Sequence, residues 1–157
     1  MENKILKSHR HIRFSDCDPM GHLFNVKYLN YFLDAREDQV REIYGFDMDK
    51  VAKLFDWALL VGTHQISYLH PALYNEEVEI SSSIIDHSEK WILVEFLMRD
   101  THGKIKSLMW SHFISFDIKN NTTAPMPSAM KKLILKYAAE KPAADFFSRF
   151  KQLKAEN

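Results

Sequence analysis

The chain has 157 residues with 46% apolar and 13% aromatic side chains, enough to bury a sizeable core and too apolar for disorder. Lys plus Arg and Asp plus Glu stand at 21 each, so there is no global charge to recruit nucleic acid or an anionic membrane. The one cysteine, Cys17, excludes an intrachain disulfide and fits a reducing compartment. The opening residues MENKILKSHRH lack the apolar stretch of a signal peptide, and no apolar run approaches the roughly 18 residues of a membrane span. The expectation is one cytoplasmic protein, with a domain over 1–140 and a helical extension over 141–157.

In chain order, a first strand is expected at Lys7–Phe14, where side chains alternate. The stretch FSDCDPMGHLFNVKYLNYF, Phe14–Phe32, then sets two acids, a proline, a glycine and a histidine before a helical pattern. Leu29, Phe32, Leu33, Val40, Ile43 and Tyr44 fall on one stripe of a long helix that Gly45 stops. A short helical turn follows at Asp49–Phe55. Four strands are expected at Trp57–His70, Val78–Asp86, Lys90–Arg99 and Lys104–Ile118, the last two joined by the hairpin turn Asp100-Thr101-His102-Gly103. Trp91 to Met98 is apolar on both faces, as a strand covered on both sides would be. Lys119–Thr123 reads as polar loop, and Met130, Leu133, Ile134 and Tyr137 mark an amphipathic helix. Phe146, Phe147, Phe150 and Leu153 repeat that spacing in the tail. The sum is an α+β fold: a five-stranded, mainly antiparallel sheet wrapped around one long helix, with C-terminal helices. Its edges call for cover, so at least a dimer is expected.

The segment Asp16 to His22 is where chemistry concentrates. As a calcium loop it fails, because Met20 and Lys27 occupy the fifth and twelfth positions, where oxygen ligands are needed. Asp16, Asp18 and His22 with His9 or His11 have no metal-binding spacing. No metal or cofactor is expected. In an extended stretch Cys17 points away from its two neighbours, which favours a packed thiol over a nucleophile. The two acids serve as turn and capping residues, or one of them acts on a substrate held at the positive end of the helix, where free N–H groups can stabilise an oxyanion. Gly21 permits close backbone approach there. His64 and His70 share one strand face and read as ordinary core-edge histidines.

On these residues the chain resembles the hotdog-fold acyl-CoA thioesterases, the group typified by 4-hydroxybenzoyl-CoA thioesterase. The family pattern is an acid pair, a proline, a nearby glycine and a tyrosine opening the central helix; here it is Asp16-Cys17-Asp18-Pro19-Met20-Gly21-His22 and on to Tyr28. ISYLHPALYNEEVEI, Ile66–Ile80, is similar to the family's strand-turn-strand segment, and the resemblance runs from about Arg10 to Tyr137. It implies Asp18 as the carboxylate that attacks the thioester or activates water. The N–H at Asn25 would polarise the carbonyl, and Asp16 would be structural. His22 matches a histidine that assists catalysis in related plant acyl-carrier-protein thioesterases, which have Asn where this chain has Met20.

The implied substrate is an acyl-CoA or an acyl-carrier-protein thioester. Gly21, Leu23, Phe24, Tyr28, Phe32 and Trp57 would line the acyl slot. A homodimer or tetramer would share the site, with residues near Val61–Gln65 of the partner chain, Thr63 and His64 among them, completing it. A thioester lacks amide resonance, so one carboxylate with an oxyanion donor suffices for its hydrolysis. The competing expectation is a non-hydrolytic module of the same fold that holds an acyl thioester for another protein.

Overall fold

A computed structural model describes residues 4–157; the first three residues of the expected 1–140 unit lie outside it. The elements are β1 (Leu6–His11), α1 (Asn25–Tyr44), α2 (Met48–Phe55), β2 (Trp57–Tyr68), β3 (Glu77–His87), β4 (Trp91–Asp100), β5 (Ile105–Asp117), β6 (Thr122–Thr123), α3 (Ser128–Tyr137) and α4 (Phe146–Glu156). All pairings are antiparallel, in the order β1-β3-β4-β5-β2. The expected loop at Lys119–Thr123 is in part strand: Thr122 and Thr123 pair with Asp117 and Phe116 as β6. A turn that returns along a strand's end can borrow that strand's free hydrogen bonds, and two polar residues carry no pattern that announces it.

Helix α1 ends as its sequence dictates, with Gly45 left-handed at φ 65° and its N–H bonded to the Val40 carbonyl. Tyr28, Phe32, Ala35, Gln39 and Val40 are its buried residues, whereas Ile43, expected on the inward stripe, is 43% exposed. Phe32 meets Phe96 at 5.6 Å between ring centres. Val78, Ile80, Ile84, Val94, Met98 and Met109 close the inner core against α1. Gln39 serves that core through hydrogen bonds: its amide donates to Ser8 Oγ and the Ile80 carbonyl, and Ser82 donates to its Oε1 at 2.6 Å.

The far side of the sheet is covered too. Phe146 and Leu153 of α4 pack with Ile85, Leu93, Leu97, Leu108 and Trp110 as a second apolar cluster. This accounts for the two-faced apolar pattern of β4. No helix among the described residues is long and apolar enough to cross a membrane.

Strand β2 forms one edge of the sheet and carries a bulge that matters for the site. The register against β5 slips between Val61 and Thr63, leaving Gly62 as the extra residue. A Cβ on Gly62 would lie 2.9 Å from Ile114 Cγ1, so the close approach requires glycine. The slip changes which side chains face α1: Trp57, Leu59 and Val61 line the inner side before it, His64 and Ile66 after it.

Candidate active site

The residues before α1 form a small hairpin. Cys17 pairs with Leu23, the Asp18 N–H donates to the His22 carbonyl at 2.8 Å, and the Gly21 N–H returns to the Asp18 carbonyl at 3.0 Å. Pro19 presets the turn, and Gly21 takes φ 74°, a left-handed conformation that favours glycine. Asp18 Oδ1 accepts from the Met20 N–H at 2.8 Å and the His22 N–H at 3.1 Å. One carboxylate oxygen therefore braces the turn, while Oδ2 has no hydrogen-bond partner among the described residues.

Asp16 is used differently. It accepts from the Tyr31 hydroxyl at 2.9 Å, pairs with Lys27 at 3.3 Å, and its carbonyl accepts the Phe24 N–H at 2.9 Å. These contacts tie the loop to the first turns of α1. Neither acid caps the helix: the N-cap is Phe24, with no side-chain cap and no acid in the first turn. The Asn25 and Val26 N–H groups consequently have no acceptor among the described residues, and the positive end of the helix stays open.

Asp18, His22, Leu23, Asn25 and Tyr28 line one cleft of about 330 Å³ with Tyr68, Leu69, His70 and Pro71. Tyr68 donates to the Asn25 carbonyl at 3.0 Å and meets the Tyr28 ring edge-on at 5.0 Å. Tyr28 accepts the Ala72 N–H at 3.0 Å. The cleft is thus built from the helix mouth and the far end of β2. The sequence sets His64 and His70 on one strand face; β2 ends at Tyr68, and what no periodicity shows is that Tyr68 and His70 lie beside the helix mouth. Burial, then Lys104 and Lys106, lower the His70 pKa from its ordinary 6.5.

On its other side Asp18 borders a second cleft of about 520 Å³ with Gly21, Phe14, Cys17 and Tyr74. Cys17 borders this second cleft but not the first; its backbone is extended, at φ −96° and ψ 153°, after a 3-10 turn at Phe14–Asp16. The Cys17 thiol donates to the Arg13 carbonyl, and burial followed by Asp18 and Asp16 raises its pKa, which opposes thiolate chemistry.

Other expected lining residues lie elsewhere in the single chain. Phe24 is 51% exposed beside the helix mouth. Phe32 is fully buried in the core. Trp57 is buried, donates to Ser115 Oγ at 2.7 Å, and lines a cavity against the second half of α1. Thr63 and His64 fall on opposite faces of β2: Thr63 meets His112, while His64 Nδ1 bonds Ser111 Oγ at 2.7 Å on the inner face. Among the described residues no group of three His, Cys, Asp or Glu is placed to hold a metal ion.

Burial lowers the His64 pKa from 6.5. The unfolded chain therefore binds the proton more readily. The stability that neutral His64 contributes is full above about pH 6.5 and lost as pH falls toward the lowered folded value. Urea unfolding at pH 7.5 and pH 5.5 should show wild type losing more stability on acidification than His64→Gln; equal losses would refute this.

The profile of the thioesterase-like superfamily matches residues 12–134. No curated protein matches the chain by sequence. Among solved structures, the 1,4-dihydroxy-2-naphthoyl-CoA thioesterase Slr0204 of Synechocystis superposes with a TM-score of 0.75 at 15% identity, covering 83% of this chain and 96% of its own. The Staphylococcus aureus protein SAV2348, solved in complex with CoA, gives a TM-score of 0.81 at 14% identity, covering 93% and 91%. The 12:0-ACP thioesterase of Umbellularia californica gives 0.79 at 14% identity over 90% of this chain, which spans 53% of that longer protein. With a sheet wrapped around one long helix and a family profile running from Ile12 to Ile134, the chain belongs to the thioesterase-like superfamily and has the hotdog fold.

Proposed function

We propose that the protein hydrolyses an acyl-CoA thioester to the free acid and CoA, with Asp18 as the reacting carboxylate. The observation that carries this reading is the division of labour at Asp18: Oδ1 is held by two backbone N–H groups, and Oδ2 is unengaged in a cleft shared with the open start of α1. In the general-base route Oδ2 takes a proton from water as the water oxygen bonds to the thioester carbon. The oxyanion that forms accepts from the Asn25 and Val26 N–H groups. Its collapse breaks the C–S bond, and the proton leaves with the thiolate. In the nucleophilic route Oδ2 itself bonds to the carbon, the C–S bond breaks as CoA leaves as the thiolate, and water then cleaves the anhydride, restoring the Asp18 carboxylate and supplying the thiolate's proton. His22 lines the same cleft and would assist the proton's transit.

The site is completed by a second copy. The outer edge of β2 has no partner strand among the described residues, and Leu60 and Val61 on it are 45% and 49% exposed. An open apolar edge of this length calls for pairing. Antiparallel pairing with the same strand about a two-fold axis near Thr63 sets the Leu59–Val61 end of one strand against the Gln65–Tyr68 end of the other. The Trp57 cavity of one copy then opens beside the Asp18 cleft of its partner, and His64 lies between them.

Thiol release measured over acyl-CoAs of varied chain length and aromaticity tests the reaction; no release from any of them would favour the non-hydrolytic module. Sedimentation should give a dimer or a multiple of one, and Val61→Asp should shift it toward monomer with loss of activity. A wild-type monomer that turns over substrate would refute the shared site.

A further inference from the structure

The cavity between the second half of α1 and the Trp57 end of β2 holds about 270 Å³. Leu33, Val40, Trp57, Val94, Phe113 and Ile134 make much of its wall. Three residues of the wall carry polar groups that bear on a ligand. Glu37 is occupied, since it pairs with Arg41. Arg36 and Tyr44 lack an acidic partner of that kind.

Arg36 donates from Nη1 to Ser82 Oγ at 3.0 Å, and its guanidinium carbon stands 5.8 Å from the centre of the Tyr44 ring. No carboxylate among the described residues pairs with it. Ser82 does not answer the charge, because its hydroxyl is already given to Gln39. A guanidinium has five N–H donors in a rigid fork that matches a carboxylate, and it stays protonated when buried. Desolvation lowers the Arg36 pKa, a strain that a bound anion would relieve. The Tyr44 hydroxyl is buried without a hydrogen-bond partner, its ring stacked on Tyr137 at 3.8 Å. Burial raises the Tyr44 pKa against the opposing pull of Arg36, whose guanidinium lies beside the hydroxyl without a hydrogen bond of good geometry, so this phenol remains a donor at neutral pH. A cation and an unanswered donor in one apolar cavity is an arrangement suited to an acceptor that arrives with the ligand.

We propose that this cavity receives the distal end of the acyl group and that Arg36 and Tyr44 bind a carboxylate carried there, making the substrate an ω-carboxyacyl thioester. The proposal rests on the thioesterase reading only for the thioester end of the ligand. The apolar wall holds the methylene chain or ring, and the fork of Arg36 selects its terminus. An acyl group ending in a methyl would leave the guanidinium desolvated and unpaired.

Binding can be measured apart from turnover with two thioethers that cannot be hydrolysed, S-(7-carboxyheptyl)-CoA and S-octyl-CoA, by titration calorimetry at neutral pH. Wild type should bind the carboxylated analogue about ten-fold or more tightly. Arg36→Met and Arg36→Gln should each abolish that preference, the second keeping a donor for Ser82, and Tyr44→Phe should reduce it. Equal binding, tighter binding of S-octyl-CoA, binding of neither, or a preference that survives both Arg36 variants would overturn the proposal. Failure of the hydrolytic reading looks different: no acyl-CoA releases thiol, yet the thioether preference persists and supports the anion site. Turnover of octanoyl-CoA with no thioether preference leaves hydrolysis standing and removes the carboxylate site.

Discussion

Asp18→Asn should lower kcat/KM for thiol release from acyl-CoA by about 10²–10⁴-fold, the range expected on losing a positioned general base. The substitution isolates chemistry from structure. Asparagine keeps an Oδ1 acceptor for the Met20 and His22 N–H groups that Asp18 holds at 2.8 and 3.1 Å, so the hairpin before α1 persists. What it removes is the basicity of Oδ2, which has no other partner among the described residues. Asp18→Ala removes the brace as well, and should lose stability along with activity. Rates measured beside thermal unfolding separate the two effects: the Asp18→Asn variant should unfold within a few degrees of wild type while turning over at least about 100-fold more slowly. Turnover at the wild-type rate would place the reacting group elsewhere in the cleft.

The largest effect on stability is expected on the opposite face of the sheet. Glu95 on β4 accepts from Arg149 Nε and Nη2, both at 2.9 Å, and from Trp110 Nε1 at 2.8 Å, with side chains only 7% and 15% exposed for Glu95 and Arg149. Arg149→Ala removes the cation and leaves a desolvated carboxylate under α4, which costs about 3–5 kcal/mol. For a chain of this size that lowers the unfolding midpoint by about 10 °C or more. Glu95→Leu combined with Arg149→Leu should recover most of the loss, because an apolar pair needs no counter-charge; the Trp110 N–H is then left unpaired at about 1–3 kcal/mol. A single Arg149→Ala variant with a wild-type urea midpoint would show that Phe146 and Leu153 alone dock the helix. The experiment also bears on the proposed boundary at 140/141, since α4 caps the cluster around Leu108 and Trp110.

Local pattern was enough for the elements. The stripe through Phe32 and Val40, the stop at Gly45, the two-faced apolar run of β4 and the turn at Asp100–Gly103 are each decided by neighbours in sequence, and all four appear where their residues put them. The resemblance carried by Asp16–Tyr28 led to the family that the profile and fold now show. The misreading after β5 has a physical cause: part of the expected loop is a strand, because that depends on which N–H and carbonyl groups happen to be free nearby.

The sequence by itself determined a long amphipathic helix opened by an acid-rich loop, an antiparallel sheet to wrap it, and a tail able to cover the sheet, since periodicity and turn chemistry act over a few residues. Only the tertiary structure decided what each acid does: Asp16 ties the loop to Tyr31 and Lys27, and Asp18 braces the turn with one oxygen and keeps the other free. It also decided that Tyr68 and His70 join Asp18, that the bulge at Gly62 puts His64 rather than Thr63 on the inner face, and that Arg36 has no carboxylate partner in an apolar cavity. These follow from strand register and helix placement, which are set by contacts between residues far apart in the chain and leave no local periodic trace.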